Sequence, residues 1–116
     1  MAQAGATATL TLDADILPNT TTDTVYATLP GASAEEIVMV TTHTDGANVV
    51  QENGGLGLLT LARYFAKVPQ GSRKRTIVFA MTTGHYAGAY VPSIRGFMES
   101  HPDILKKTVA SLTIEH

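Results

Sequence analysis

Hydrophobic residues alternate with threonine in the first third of the chain, and this alternation predicts two strands. Ala8 to Leu12 places an apolar side chain at every second position, as a half-buried strand does, and Thr24 to Leu29 repeats the pattern. Pro18-Asn19 provides a turn between the two segments, and Pro30-Gly31 stops the second one. We therefore expect a hairpin of strands within residues 1–30.

Two later segments, Ile37–Val40 and Thr76–Met81, are predominantly apolar, a pattern typical of strands that are covered on both faces of a sheet. Val109–Ile114 is predicted as the last strand. Each of the first two runs directly into a polar tail that contains glycine. These two segments therefore predict buried strands, with loops that carry polar side chains at their ends.

Between these strands the hydrophobic period changes to that of a helix. Apolar residues that follow Gly55 fall on one side of a 3.6-residue wheel, and Pro69-Gln70-Gly71 ends the pattern. Further helices are predicted over Ser93–Ser100 and Pro102–Lys107. Residues 31–116 thus alternate strands with helices, which predicts an α/β fold with a mixed, mostly parallel sheet sandwiched by helices.

Composition limits the classes of protein that the chain can form. Its 116 residues are 44% hydrophobic, a content that allows one domain with a real core. The absence of cysteine excludes a disulfide scaffold, a thiolate metal site and a cysteine nucleophile. Eight basic and ten acidic residues argue against nucleic-acid binding, and no apolar stretch reaches the ~20 residues of a membrane span.

Polar side chains with metal-binding chemistry follow three of the predicted strands. His43 and Asp45 follow the first buried strand, His85 follows the second, and Glu115 ends the last. Ligands of α/β sheets bind beyond the carboxyl ends of the strands, where such residues meet. Glu52 precedes the first helix and serves equally well as a helix cap. Taken singly, His85 could also be a surface histidine and Glu115 a solvated terminus.

The order of these residues resembles the zinc aminopeptidases and carboxypeptidases of metallopeptidase family twenty-eight. That family has His-x-Asp after one strand, Asp-Asn-Gly-Ser-Gly before a helix, Glu-Glu-x-Gly after a later strand and a final Asp. His43-Thr44-Asp45 matches the first motif, whereas Glu52-Asn53-Gly54-Gly55 and Glu115 match the second and fourth with Glu in place of Asp. At the third motif, His85 and Tyr86 stand where the family has its general base and a zinc ligand.

The resemblance implies a three-layer, zinc-exopeptidase-like fold, present here as a partial catalytic domain over residues 1–116. It implies that His43, Glu52 and Glu115 hold at most one zinc ion, that Asp45 orients His43, and that His85 serves the attacking water. The implied reaction is peptide or amide hydrolysis on a peptide or aminoacyl substrate. Because the base and ligand positions are altered, we expect the isolated chain to be inactive. A secreted or cell-envelope location is implied by the resemblance alone.

Two alternatives to the hydrolase interpretation remain open at this level. The chain could be a catalytically degenerate relative that binds a peptide or protein partner through the same cleft. It could also be an unrelated α/β binding domain whose motifs match by accident. We further expect self-association through the edge of the sheet at Val109–Ile114, because an incomplete domain leaves apolar surface and backbone groups uncovered there.

Overall fold

A computed structural model describes residues 5, 7–15, 17, 19–46, 53–85 and 93–115. Within these ranges, the chain forms four strands, three α-helices and a short 3-10 turn. In chain order they are β1 (Val25–Leu29), β2 (Ser33–His43), α1 (Gly54–Ala66), the 3-10 turn (Gln70–Ser72), β3 (Arg75–Thr82), α2 (Ser93–Ser100), α3 (Pro102–Lys107) and β4 (Thr108–Thr113). The elements predicted between residues 31 and 116 are confirmed, and β2 extends beyond the apolar run at both ends.

The strands form one mixed sheet in the order β1-β3-β2-β4. β2 pairs in parallel with β3 on one side and with β4 on the other, whereas β1 is antiparallel to β3. The predicted α/β class with a mostly parallel sheet is therefore confirmed. Because β2 lies between the other two parallel strands, its carboxyl end has a neighbour on each side.

The two faces of β2 and β3 belong to two separate hydrophobic clusters, because alternate side chains of a strand point to opposite faces. On one face, Phe97 of α2 packs with Ile37, Met39, Val78 and Ala80. On the other face, Leu58 of α1 packs with Val40, Ile77 and Phe79. This explains the continuous apolar runs, since both faces of these two strands are buried.

The N-terminal hairpin expected within residues 1–30 is not formed by the described residues. Residues 7–15 belong to no strand, and Leu10 is 92% exposed. β1 instead pairs with β3, in a register that sets Ala27 against Phe79. Alternation shows which face of a strand is apolar, but it does not show which strand is its partner. An isolated two-stranded hairpin is only marginally stable in water, whereas pairing with β3 makes β1 part of a larger sheet.

Candidate metal centre

The carboxyl ends of the three parallel strands meet at one edge of the sheet and are tied together by hydrogen bonds. Thr44 donates its backbone N–H to the carbonyl of Thr82 at the end of β3, over 2.9 Å. On the other side, Ile114 donates to the carbonyl of Thr41, also over 2.9 Å. The residues that follow β3 and β4 are therefore held beside the end of β2, as the sequence predicted for the functional edge.

His43, the last residue of β2, is the buried centre of this edge, with only 6% of its side chain exposed. Its Nδ1 atom lies 3.4 Å from Oδ1 of Asp45, and its Nε2 atom lies 3.0 Å from Oε1 of Glu115. A neutral imidazole carries a proton on one nitrogen only. A neutral ring can therefore donate a hydrogen bond to only one of the two carboxylates that face it.

His85 lies on the other side of the same carboxylate. Its ring stacks on that of His43, with the centroids 3.9 Å apart and an angle of 7° between the planes. Its Nδ1 atom is 3.9 Å from Oε1 of Glu115. Two imidazoles therefore converge on one carboxylate oxygen at the solvent-facing mouth of the edge.

Asp45 anchors the loop that carries His85. Its Oδ2 atom accepts hydrogen bonds from the backbone N–H groups of Gly84 and His85, each over 2.8 Å. Gly84 has φ of +88°, a conformation that glycine adopts at no steric cost, so the chain can turn both N–H groups towards the carboxylate. One side chain thus positions the backbone of His85 while its other oxygen faces the His43 ring.

Opposing effects act on the ionisation of Asp45. Burial by itself raises the pKa of this carboxyl, whereas backbone N–H groups of Asp45, Gly84 and His85 lower it. The His43 ring lowers the pKa further, and the net result lies below the usual value of 3.8. Asp45 is therefore ionised at neutral pH and contributes a fixed negative charge beside His43.

The chemistry of the donor set fits a zinc ion. One ligand atom from each of His43, His85 and Glu115 lies within 4.8 Å of the other two. Two histidines and a glutamate form a known catalytic zinc set, and tetrahedral bonds of about 2.1 Å separate the ligand atoms by about 3.4 Å. The measured separations of 3.0 and 3.9 Å from Glu115 lie on either side of this value. Because the rings of His43 and His85 are stacked in parallel, one ring must turn for both nitrogen atoms to face the same ion. Asp45 supplies the outer carboxylate that commonly orients a ligating histidine.

A cavity of about 240 Å³ opens onto this cluster on the α2 side of the sheet. Besides the three candidate ligands, its walls include the hydroxyl groups of Thr41, Ser111 and Thr113 and the apolar side chains of Met39 and Met98. Such a mixture can accommodate a small group that has both amide-like polar atoms and an apolar portion.

The structure assembles four of the residues singled out in the sequence, namely His43, Asp45, His85 and Glu115. Glu52, the expected zinc ligand, lies outside the described residues, as do Tyr86 and His116. The sequence pointed to His85 as a base, and the structure adds its proximity to the carboxylate of Glu115. His85 follows β3, and a residue after a strand that is parallel to β2 lies near the end of β2 when the two strands are neighbours. The sequence alone does not give the strand order, so it could not predict that His85 lies near Glu115.

Comparisons of the chain with protein-family models, with curated proteins and with solved structures find no match. Among the described helices, none has the length and apolar character of a membrane-spanning segment.

Proposed function

We propose that the chain binds one zinc ion through His43, His85 and Glu115 and that it is the metal-binding part of a zinc-dependent, peptidase-like hydrolase. The observation that supports this proposal is the convergence of two imidazoles and one carboxylate within 4.8 Å, at the carboxyl ends of parallel strands. In the same proposal, the sheet and its helices are part of a three-layer, zinc-exopeptidase-like domain.

The protein groups have distinct tasks in this proposal. Asp45 is a positioning residue, because its carboxylate orients the buried His43 ring and fixes the backbone at His85. When bound at such a three-ligand site, zinc supplies Lewis-acid activation of water and of a substrate carbonyl. In the adjoining cavity, the hydroxyl group of Ser111 offers a hydrogen bond to a peptide or aminoacyl substrate, whereas those of Thr41 and Thr113 lie 3.1 Å apart and bond to each other.

A catalytically degenerate, peptide-binding domain is the second candidate. It is favoured by the double use of His85, which lies at the ligand cluster and also stands where the resemblance places the general base. A histidine committed to a metal cannot accept a proton from water at the same nitrogen. For this reason we expect the isolated chain to bind zinc without measurable hydrolysis.

Calorimetric titration of zinc at neutral pH tests the proposed ligands. The parent should bind one ion per chain, and His43→Ala and Glu115→Gln should each weaken binding at least tenfold. Glu99→Gln is the matched control, since Glu99 is exposed on α2 and pairs only with Arg95 among the described residues. No binding by the parent, or variants that bind as well as the parent, would contradict the metal site.

Two further measurements separate the remaining interpretations. Zinc titration of Glu52→Ala tests whether Glu52 is a ligand, as the resemblance implies. Zinc titration of His85→Ala tests whether His85 is a ligand, as we propose. Assays with aminoacyl-nitroanilides and blocked peptides should show rates close to the uncatalysed reaction. Steady turnover that a chelator abolishes would overturn both the expected inactivity and the degenerate alternative.

A further inference from the structure

β4 is an edge strand of the sheet, and no described residue pairs with its outer side. β4 ends the strand order, and the described residues pair with it only from β2. Most of its side chains are exposed on both faces, and Leu112 retains 54% exposure. Its sequence, Thr-Val-Ala-Ser-Leu-Thr, has neither the charged residues nor the proline that commonly protect a sheet edge.

We propose that this edge is a homodimer interface in which β4 pairs antiparallel with β4 of a second copy. The pairing would join two four-stranded sheets into one continuous sheet and satisfy the outward-facing backbone groups of both strands. This proposal concerns the outer edge of β4 and does not require zinc to be bound.

The distribution of charge selects a second copy as the occupant. Lys106 and Lys107 end α3 immediately before β4, where Lys107 also lies 3.3 Å from Glu35 of the same chain, and Glu115 follows β4 two residues after its end. An antiparallel arrangement therefore sets the basic end of each strand beside the acidic end of the other. A parallel arrangement would instead place like charges together, which disfavours it.

Symmetry and side-chain size select the register. A two-fold axis perpendicular to the sheet leaves each side chain on the same face of the joined sheet. Such an axis passes midway between the two copies of one residue, which then lie opposite each other. An axis at Ser111 sets Leu112 against the small side chain of Ala110 and sets Val109 against Thr113. It also lies within Ala110–Thr113, the part of β4 that follows the irregularity in its pairing with β2.

The same register covers an apolar cavity. A space of about 520 Å³ lies between α1 and the sheet, and Leu112 forms part of its wall with Val38, Val40, Leu61 and Phe65. A partner's Leu112 seated opposite Ala110 lies at the β4 side of this space. Burial of exposed leucine and of the cavity wall supplies a hydrophobic contribution in addition to the backbone hydrogen bonds.

Cysteine cross-linking tests the register directly, because the chain has no native cysteine. In the proposed dimer, the Cα atoms of two Ser111→Cys residues are about 4.5–5.5 Å apart, within the range that a disulfide spans. The matched control is Val109→Cys, whose two copies are about four residues apart along the pair, or roughly 13 Å. With an added oxidant, Ser111→Cys should form a covalent dimer and Val109→Cys should not.

Light scattering of the parent chain and of Leu112→Lys provides an independent readout. The parent should be dimeric at ~100 μM, a concentration that reveals micromolar contacts, and Leu112→Lys should be monomeric with an unchanged circular dichroism spectrum. Equal cross-linking of both cysteine variants, or a dimer that survives Leu112→Lys, would overturn the register. A strictly monomeric parent would overturn the dimer.

Discussion

Replacement of Asp45 by Asn tests how one carboxylate organises the candidate metal centre. The side chain keeps its size, but its negative charge is lost. In the parent, Oδ2 accepts two backbone hydrogen bonds of 2.8 Å while Oδ1 faces Nδ1 of His43 at 3.4 Å. An amide oxygen can still accept from Gly84 and His85, although its NH₂ group must then point at the His43 ring.

The magnitude follows from the change from charged to neutral hydrogen bonds. A hydrogen bond to a charged group contributes about 1.5–3 kcal/mol and a neutral one about 0.5–1.5 kcal/mol, so two bonds lose about 2 kcal/mol. The Asp45 side chain is 26% exposed, and solvent screening reduces this loss. We therefore expect Asp45→Asn to lower the free energy of unfolding of the metal-free protein by about 1–2 kcal/mol at neutral pH.

The pH dependence of this difference has a defined sign. Because folding lowers the pKa of Asp45 below 3.8, its stabilising contribution is fully present above that value. The contribution is lost as the pH falls from 3.8 through the lower pKa of the folded protein. The parent and Asp45→Asn should therefore differ most at neutral pH and approach each other in acid.

Urea unfolding in the presence of a chelator, measured from neutral pH down to acid, provides the assay. Asp13→Asn is the control, since Asp13 is exposed and lies outside any element. Zinc titration of the same variants should show binding to Asp45→Asn weakened by about 10–100-fold, as is typical when the partner of a ligating histidine is lost. An Asp45→Asn variant as stable as the parent at every pH would refute the positioning role.

Two further predictions concern the packing that supports this centre. Phe97 of α2 is 5% exposed and packs in one core cluster, so Phe97→Ala should lower the free energy of unfolding by about 3–5 kcal/mol. Leu10 is 92% exposed, so Leu10→Ala should change the free energy of unfolding by less than about 0.5 kcal/mol. A Cβ at Gly54 would collide with the Thr42 hydroxyl and the Ile114 carbonyl, so Gly54→Ala should cost about 1–3 kcal/mol. Gly71→Ala meets open space and serves as the control. Equal denaturation midpoints within either pair would contradict the packing described for it.

Local pattern determined most of the secondary structure. The helices over Ser93–Ser100 and Pro102–Lys107 have the bounds that the sequence predicted, the two apolar runs became β2 and β3, and the predicted last strand became β4. These elements were predictable because a period of 3.6 residues or a continuous apolar run depends only on neighbours in the chain. The alternation at Ala8 to Leu12 carried the same kind of signal but led to no described strand, because strand formation also requires a partner.

The sequence also identified His43, Asp45, His85 and Glu115 as candidate site residues, since each follows a predicted strand. Their mutual distances depend on the strand order, and only the tertiary structure decided that β2 lies between β3 and β4. That order brings the end of β2 beside both neighbours, so His43 lies between Asp45 and Glu115 and against the ring of His85. Residue type is encoded locally, whereas the approach of groups separated by some seventy positions requires a completed sheet, because packing decides which strands become neighbours.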